Sequence, residues 1–275
     1  GQERVYEEIR KIIFIGGMRI MPNHVSNIIK MKGITKLPLF KEEREGDEII
    51  KCFDFNKLIP MPESLNMESG SMTDISVVYY MTERCTIPVD RMDKDKKELT
   101  QKIVSNLFSS SEEWLKEVFN RAMVKAFDSS DKEKDKMYEN GKVYVKNYTD
   151  YGATTWYDWC RHNWDTKWNA YSNEQIDEDT ISFQTAWSCP EKVIEKLAEM
   201  YPDAHIEHWW ADEDCGSNTG YREYIDGQWY GGYDNSCSNE AYERYIYCWG
   251  MSECLAKDSD GNWYHKSCEH CDGCN

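Results

Sequence analysis

Hydrophobic and polar positions alternate with a period that changes several times along the chain. In NHVSNIIKMKG (23–33), Val25, Ile29 and Met31 fall on one face, which predicts a strand ending at Gly33. KCFDFNKLIPMPESL follows, and Pro60 and Pro62 fix an extended, turn-like exit. The β-branched and aromatic run ISVVYY (75–80) predicts a second short strand. Residues 94–127 then switch to helical spacing. Leu99, Ile103, Leu107 and Phe108 form one stripe, and Trp114, Leu115, Val118, Phe119, Ala122, Met123 and Phe127 form another. Ser110 with Glu113 reads as a capping box between them, which makes a helical hairpin. The charged run DSSDKEKDK (128–136) closes it as a solvated linker.

A strand is predicted at 142–148, followed by a short helix, WYDWCRHNW, capped by Thr154 or Thr155. On that helix Trp156, Trp159, Cys160 and Asn163 share a face, which is expected to pack on a sheet. KWNAYS alternates as a strand, and ISFQTAWS (181–188) alternates clearly through Ile181, Phe183, Thr185 and Trp187. Ser188 and Glu191 suggest a second capping box, opening the helix PEKVIEKLAEMY with Val193, Ile194, Leu197 and Tyr201 inward. AHIEHWWADED is the next strand, and GYREYIDGQWYGGY is a hairpin pivoting on Asp226-Gly227. The order β, helix, β, β, helix, β, β predicts an α+β, ferredoxin-like antiparallel sheet with its helices on one face. The expected layout is an N-terminal extension (1–20), a first α+β part (21–93), the helical-hairpin insertion (94–136), the ferredoxin-like core (137–235) and a small Cys-rich C-terminal extension (236–275).

MPNHVSN (21–27), FDFNKLIPMPESL (53–65), YGATTWYDWCRHNWDTKWNA (151–170), FQTAWSCPEKVIEKLAEMYP (183–202) and ADED (211–214) occur in that order. Together these motifs resemble the YubB-like family of phage- and plasmid-encoded proteins over about residues 21–228. The resemblance implies a ferredoxin-like domain and a mobile-element origin, and it supplies no catalytic residues. Gly1–Ile20 departs from the pattern, the helical hairpin resembles a variable insertion, and the Cys-rich tail lies outside it.

Charge narrows the partners. The net charge is −17, and from Tyr201 onward 15 acidic residues face 4 basic ones. Such a field repels phosphate backbones, so general nucleic-acid binding is disfavoured, whereas a basic protein partner or a cation is suited. No apolar run reaches the roughly 18 residues of a membrane span. The N-terminal apolar stretch is short and preceded by acidic residues, unlike a secretory signal, so a cytoplasmic protein of the host cell is expected.

Cys52, Cys85, Cys160 and Cys189 read as buried thiols. The other seven cysteines begin at Cys215. In the tail, Cys248, Cys254, Cys268, Cys271 and Cys274, with His265 and His270, form a candidate zinc set around a DSDGNWY hairpin; disulfides or free thiols are the alternatives. Asp212, Glu213 and Asp214 follow a strand and could hold a hard cation, act as acid and base, or form a solvated turn. His205 and His208 read as surface histidines rather than ligands, and His24 beside Asn23 is a candidate on the first strand. Trp156, Trp159 and Trp187 read as core. Asn163, Trp164, Lys167, Trp168 and Asn169 form a candidate ligand surface, with Trp164 and Trp168 as its stacking pair.

The leading expectation is a non-enzymatic binding protein that blocks or sequesters a host factor, as an anti-defence inhibitor, through its acidic surface. One alternative is a sponge for a nucleotide-type small molecule, with Arg161, Lys167 and Arg222 meeting its phosphates. Another is a metal-dependent hydrolase built on residues 212–214.

Overall fold

The computed structural model describes residues 23–45, 48–105 and 111–266. In chain order it contains β1 (His24–Met31), β2 (Phe40–Glu45), β3 (Glu48–Phe53), α1 (Ser71–Met81), α2 (Lys94–Val104), α3 (Glu112–Phe127), α4 (Asp131–Tyr151) and α5 (Trp156–Asn163). There follow β4 (Tyr171–Gln175), β5 (Thr180–Ala186), α6 (Glu191–Met200), β6 (Ile206–Asp212), β7 (Gly220–Ile225), β8 (Gln228–Tyr233), α7 (Asn239–Trp249), β9 (Leu255–Lys257) and β10 (Trp263–His265). These elements form two units. One joins the chain up to Ile59 with the chain from Asp165 onward, and the other is Pro60–Trp164.

The first unit is an antiparallel sheet in the order β4-β5-β1-β6-β7-β8. Its first four strands with α6 have the ferredoxin-like arrangement, and the β7–β8 hairpin extends the sheet beyond β6. Asp226 (φ 50) and Gly227 (φ 73) make the tight turn of that hairpin, in the left-handed conformation that a primed turn requires. One sheet face carries Val25, Phe183 and Trp210 towards α6, whose Val193, Ile194 and Leu197 are fully buried. A Cβ on Gly220 would lie 2.2 Å from Cζ2 of Trp210, so this indole can be seated only against a glycine. The Ser188 capping box does not form. Asp165 caps α6 instead, accepting from Lys192 N at 3.0 Å, while Ser188 Oγ donates to the Asp165 carbonyl.

The opposite face receives α7. Ser26 Oγ donates to the Cys248 carbonyl at 3.1 Å, Trp249 Nε1 donates to the Ala211 carbonyl at 2.9 Å, and Tyr247 packs on Trp209. The core helix α6 therefore keeps one face, and the C-terminal extension supplies a helix for the other. His208 is buried rather than at the surface, because residues 205 and 208 lie on opposite sides of a strand. Its Nε2 is 3.0 Å from Oδ1 of Asn27, whose amide donates to Thr185 Oγ1 at 2.9 Å.

The second unit is helical, and it corrects two expected strands. Residues 75–80 lie in α1, where Ile75, Val77, Val78, Tyr79 and Met81 are all buried; a helix apolar around its whole circumference is one surrounded by others. Residues 142–148 lie in α4, which Ser130 and Glu133 open with a capping box inside the charged run expected to be a linker. The expected boundary at 136/137 thus falls within a helix. Ser111 caps α3, accepting from Trp114 N at 3.2 Å, while Leu107, Phe108 and Ser110 lie outside the described residues. α5 also belongs to this unit.

Asp74, in the first turn of α1, is half-buried, and burial raises its pKa to about 6, with Arg121 opposing and Asp158 adding to the rise. A carboxyl whose folded pKa lies above its ordinary 3.8 favours folding below that value, and this contribution is lost as pH rises through 6. Asp74→Asn is therefore expected to stabilise the helical unit at pH 8, by at most about 3 kcal/mol. Denaturant unfolding should show this gain vanishing near pH 4; an equal gain at both pH values would show that the carboxyl charge is not its source.

Candidate functional site

The sequence-predicted polar residues meet at one corner of the sheet, where β1 begins between the ends of β5 and β6. Trp187 N donates to the Asn23 carbonyl at 2.9 Å, and Glu213 N donates to the His24 carbonyl at 2.8 Å. Asn23 Nδ2 donates to Asp212 Oδ1 (3.1 Å) and Asp214 Oδ2 (2.7 Å), and His24 N donates to Glu213 Oε1 at 3.1 Å. Asp212 also accepts from Asp214 N at 3.0 Å and from Asn218 Nδ2 at 3.3 Å. Burial raises the Asp212 pKa, and these donors hold it down in part. Both oxygens of Asp212 are thus engaged, and the acidic trio locks the end of β6 to the start of β1. Among the described residues the trio is not a set of three ligand atoms within reach of one ion.

The other half of the corner is aromatic. His24 Nδ1 lies 2.6 Å from Tyr171 Oη, which donates to the Thr185 carbonyl at 3.1 Å. With its proton given to Thr185, the phenol oxygen is free to accept from Nδ1–H of His24. Burial, then the charge of Glu213, raises the Tyr171 pKa, so the phenol stays protonated. Trp168 packs obliquely on Tyr171, with ring centroids 6.3 Å apart. Lys167 Nζ lies 4.6 Å from the ring centroid of Trp168 and 4.5 Å from that of Trp187. An ammonium between two indoles is held by both π faces, and burial lowers its pKa.

Of the three tryptophans expected in the core, Trp159 is buried and Trp156 half-buried, whereas Trp187 is 38% exposed. Its φ of 73 places a bulky side chain in left-handed backbone. Such strain persists where contacts over-determine it, and here the Asn23 carbonyl, Asn218 (donating to the Trp187 carbonyl at 3.1 Å) and Lys167 do so. The signal available in the sequence was its place at a strand end, directly before Ser188-Cys189-Pro190.

The remaining predicted residues are elsewhere. Trp164 is buried in the helical unit, edge-on to Trp159 with centroids 5.5 Å apart, and Asn163 Nδ2 donates to the Trp159 carbonyl. Trp168 therefore shares its cation with Trp187, and Trp164 belongs to a separate cluster. Asn169 is a buried pin: its Oδ1 accepts from Phe55 N and Ala170 N at 2.9 Å each, and its amide donates to Asp54 at 2.7 Å. That pin holds Phe53 and Phe55 against Phe183, which accounts for the FDFN motif.

In the tail, β9 and β10 form the expected hairpin, and Asp258 accepts from the amides of Asp260 and Asn262 in its turn. Cys254 precedes β9, His265 ends β10, and Cys248 is on α7, where burial raises its pKa to about 12. Cys268, His270, Cys271 and Cys274 lie outside the described residues. Cys215, absent from the predicted set, packs with Tyr242 and Leu255; burial and then neighbouring Cys254 push its pKa to about 11.

A family model described as the ferredoxin-like domain in Api92-like protein matches residues 163–246. The match spans β4 to β8 with α6 and most of α7, and β1 falls outside it. No curated protein matches. Among solved structures, the crystal structure of a protein api92 from Yersinia pseudotuberculosis is similar over 78% of this chain and 99% of that one, at 10% identity and a TM-score of 0.34. Among the described residues, no helix is long and apolar enough to cross a membrane.

Proposed function

We propose that this is a non-enzymatic binding protein that captures a basic, extended segment of a host protein on strand β8. The observation that carries the reading is the edge itself. Among the described residues β8 is the last strand of the sheet, and Trp229, Tyr230 and Tyr233 are each more than half exposed along it. Edge strands are ordinarily blunted by lysine, proline or a covering segment, and QWYGGY has neither lysine nor proline. Arg222 lies 4.5 Å from the Trp229 ring centroid and pairs with Glu191 at 2.6 Å, which steadies the aromatic surface. Strand addition would supply main-chain hydrogen bonds, the aromatic rings would supply affinity, and the acidic field would select a basic partner.

The YubB-like resemblance supports a mobile-element origin, and with it a role in blocking a component of host defence. On this reading zinc in the Cys-rich tail would act as a staple of the C-terminal extension. The small-molecule reading has one observation in its favour, the Trp168–Lys167–Trp187 sandwich, which could admit a flat ring if Lys167 moved to its phosphate.

The test is capture from host lysate by the full chain, with amide hydrogen exchange on the complex. A specific partner should protect β8, should be released by salt, and should bind Tyr230→Lys at least about tenfold more weakly. Protection confined to residues 167–187, together with a co-purified nucleotide lost in Trp187→Ala, would replace this reading with the small-molecule one.

A further inference from the structure

At the end of the sheet opposite the polar corner, we infer a second, unassigned site: a divalent transition-metal site formed by His205, Glu207 and Glu223. One ligand atom from each lies within 4.8 Å of the others, and His205 Nε2 is already 2.6 Å from Glu223 Oε1. Neighbouring ligands of a tetrahedral zinc are roughly 3.4 Å apart, so rotation of surface side chains closes the set.

Register explains why these groups converge. Glu207 and Glu223 are direct partners across β6 and β7, and His205 stands two residues before Glu207 on the same side. Like charges placed directly opposite destabilise a strand pair, so this pairing costs stability until a cation lies between them. Lys30 is the cross-strand neighbour of Glu207 on its other side, but its ammonium lies over Trp209 and Tyr247, 5.2 and 5.7 Å from their ring centroids. Tyr221 Oη donates to Glu207 Oε1 at 3.1 Å, which orients one ligand from behind.

Two carboxylates neutralise a dication, and the imidazole selects zinc over calcium or magnesium. Three protein ligands leave a fourth position for water or another ligand. His205 and Glu207 also line a groove of about 1070 Å³ together with Lys30, Asp177, Asp179 and Asp203.

The experiment uses the full chain, stripped with a chelator and titrated with zinc, beside His205→Ala and Glu223→Gln. His205 is exposed and Glu223 is half-buried at the sheet end, and both variants are expected to fold. The wild type should bind one equivalent more than either variant, or bind that equivalent at least about tenfold more tightly. Cobalt substitution separates this site from any thiolate site, because the equivalent lost in the variants should carry no sulfur-to-cobalt charge-transfer absorption. In chelator, Glu223→Gln should melt above the wild type, and zinc should raise only the wild-type melting temperature through this site. Equal stoichiometry and affinity in all three proteins, or a lost equivalent with thiolate absorption, would overturn the assignment.

Discussion

Replacing Gly141 with alanine is expected to destabilise the helical unit by about 2–4 kcal/mol, although the same change in an exposed helix stabilises by up to about 1 kcal/mol. Gly141 sits in the middle of α4, where glycine is intrinsically unfavourable. It is tolerated because α4 and α1 cross there at backbone contact. An added Cβ would lie 2.0 Å from the Ser76 carbonyl oxygen and 2.7 Å from Cβ of Tyr80. Neither neighbour is a flexible side-chain end, so the helices must separate and the packing around Val77, Val78 and Tyr144 must loosen. Urea unfolding followed by hydrogen exchange in α1 and α4 gives the sign directly. A neutral or stabilising Gly141→Ala would mean that the two helices do not approach this closely.

The second large effect is acid sensitivity of the sheet, centred on His208. Burial, followed by the charge of Arg222, lowers its pKa from 6.5 to about 3. The unfolded chain takes up this proton near pH 6.5 and the folded chain resists it to about pH 3. The stabilisation is therefore fully present above pH 6.5 and is lost as pH falls from there, by about 1.4 kcal/mol per unit. Over the whole window the ceiling is about 5 kcal/mol. His208→Gln does not titrate and keeps a donor for Asn27, so the free energy of unfolding should fall steeply from pH 7.5 to 5 in the wild type and weakly in the variant. Identical slopes would remove His208 as the cause. Asp74 carries the opposite sign, so acid should loosen β1 and β6 while tightening α1.

Much of the sheet unit was legible because its signals are local. ISFQTAWS alternates with period two, α6 has a clean apolar stripe ended by Pro202, and Asp226-Gly227 marks a hairpin. The helical unit was less legible because its evidence is tertiary. The β-branched and aromatic residues of ISVVYY, and of KVYVKNY after Gly141, favour strands in isolation, and only mutual burial makes them helices. Asn-Gly at 140–141 resembles a hairpin turn until Ser76 is seen beneath it. At the polar corner, sequence order could place Lys167 beside Trp168, but Trp187 reaches them through a left-handed residue that no periodicity reveals. His205 reads in the sequence as a surface histidine, and nothing there groups it with Glu207 and Glu223, because the pairing of the two glutamates depends on the register of β6 against β7.

The split of the sheet unit around Pro60–Trp164 also sets a timetable for the growing chain. β1 is made early, yet both strands that flank it, β5 and β6, begin only at Thr180 and Ile206. At about 5–20 residues per second, β1 waits on the order of ten seconds or more with both edges unpaired. The helices α1 to α4 contact one another and are all made within that interval, so their packing can be finished first. Ribosome-bound chains arrested just before and just after β6 would therefore differ sharply in chaperone dependence.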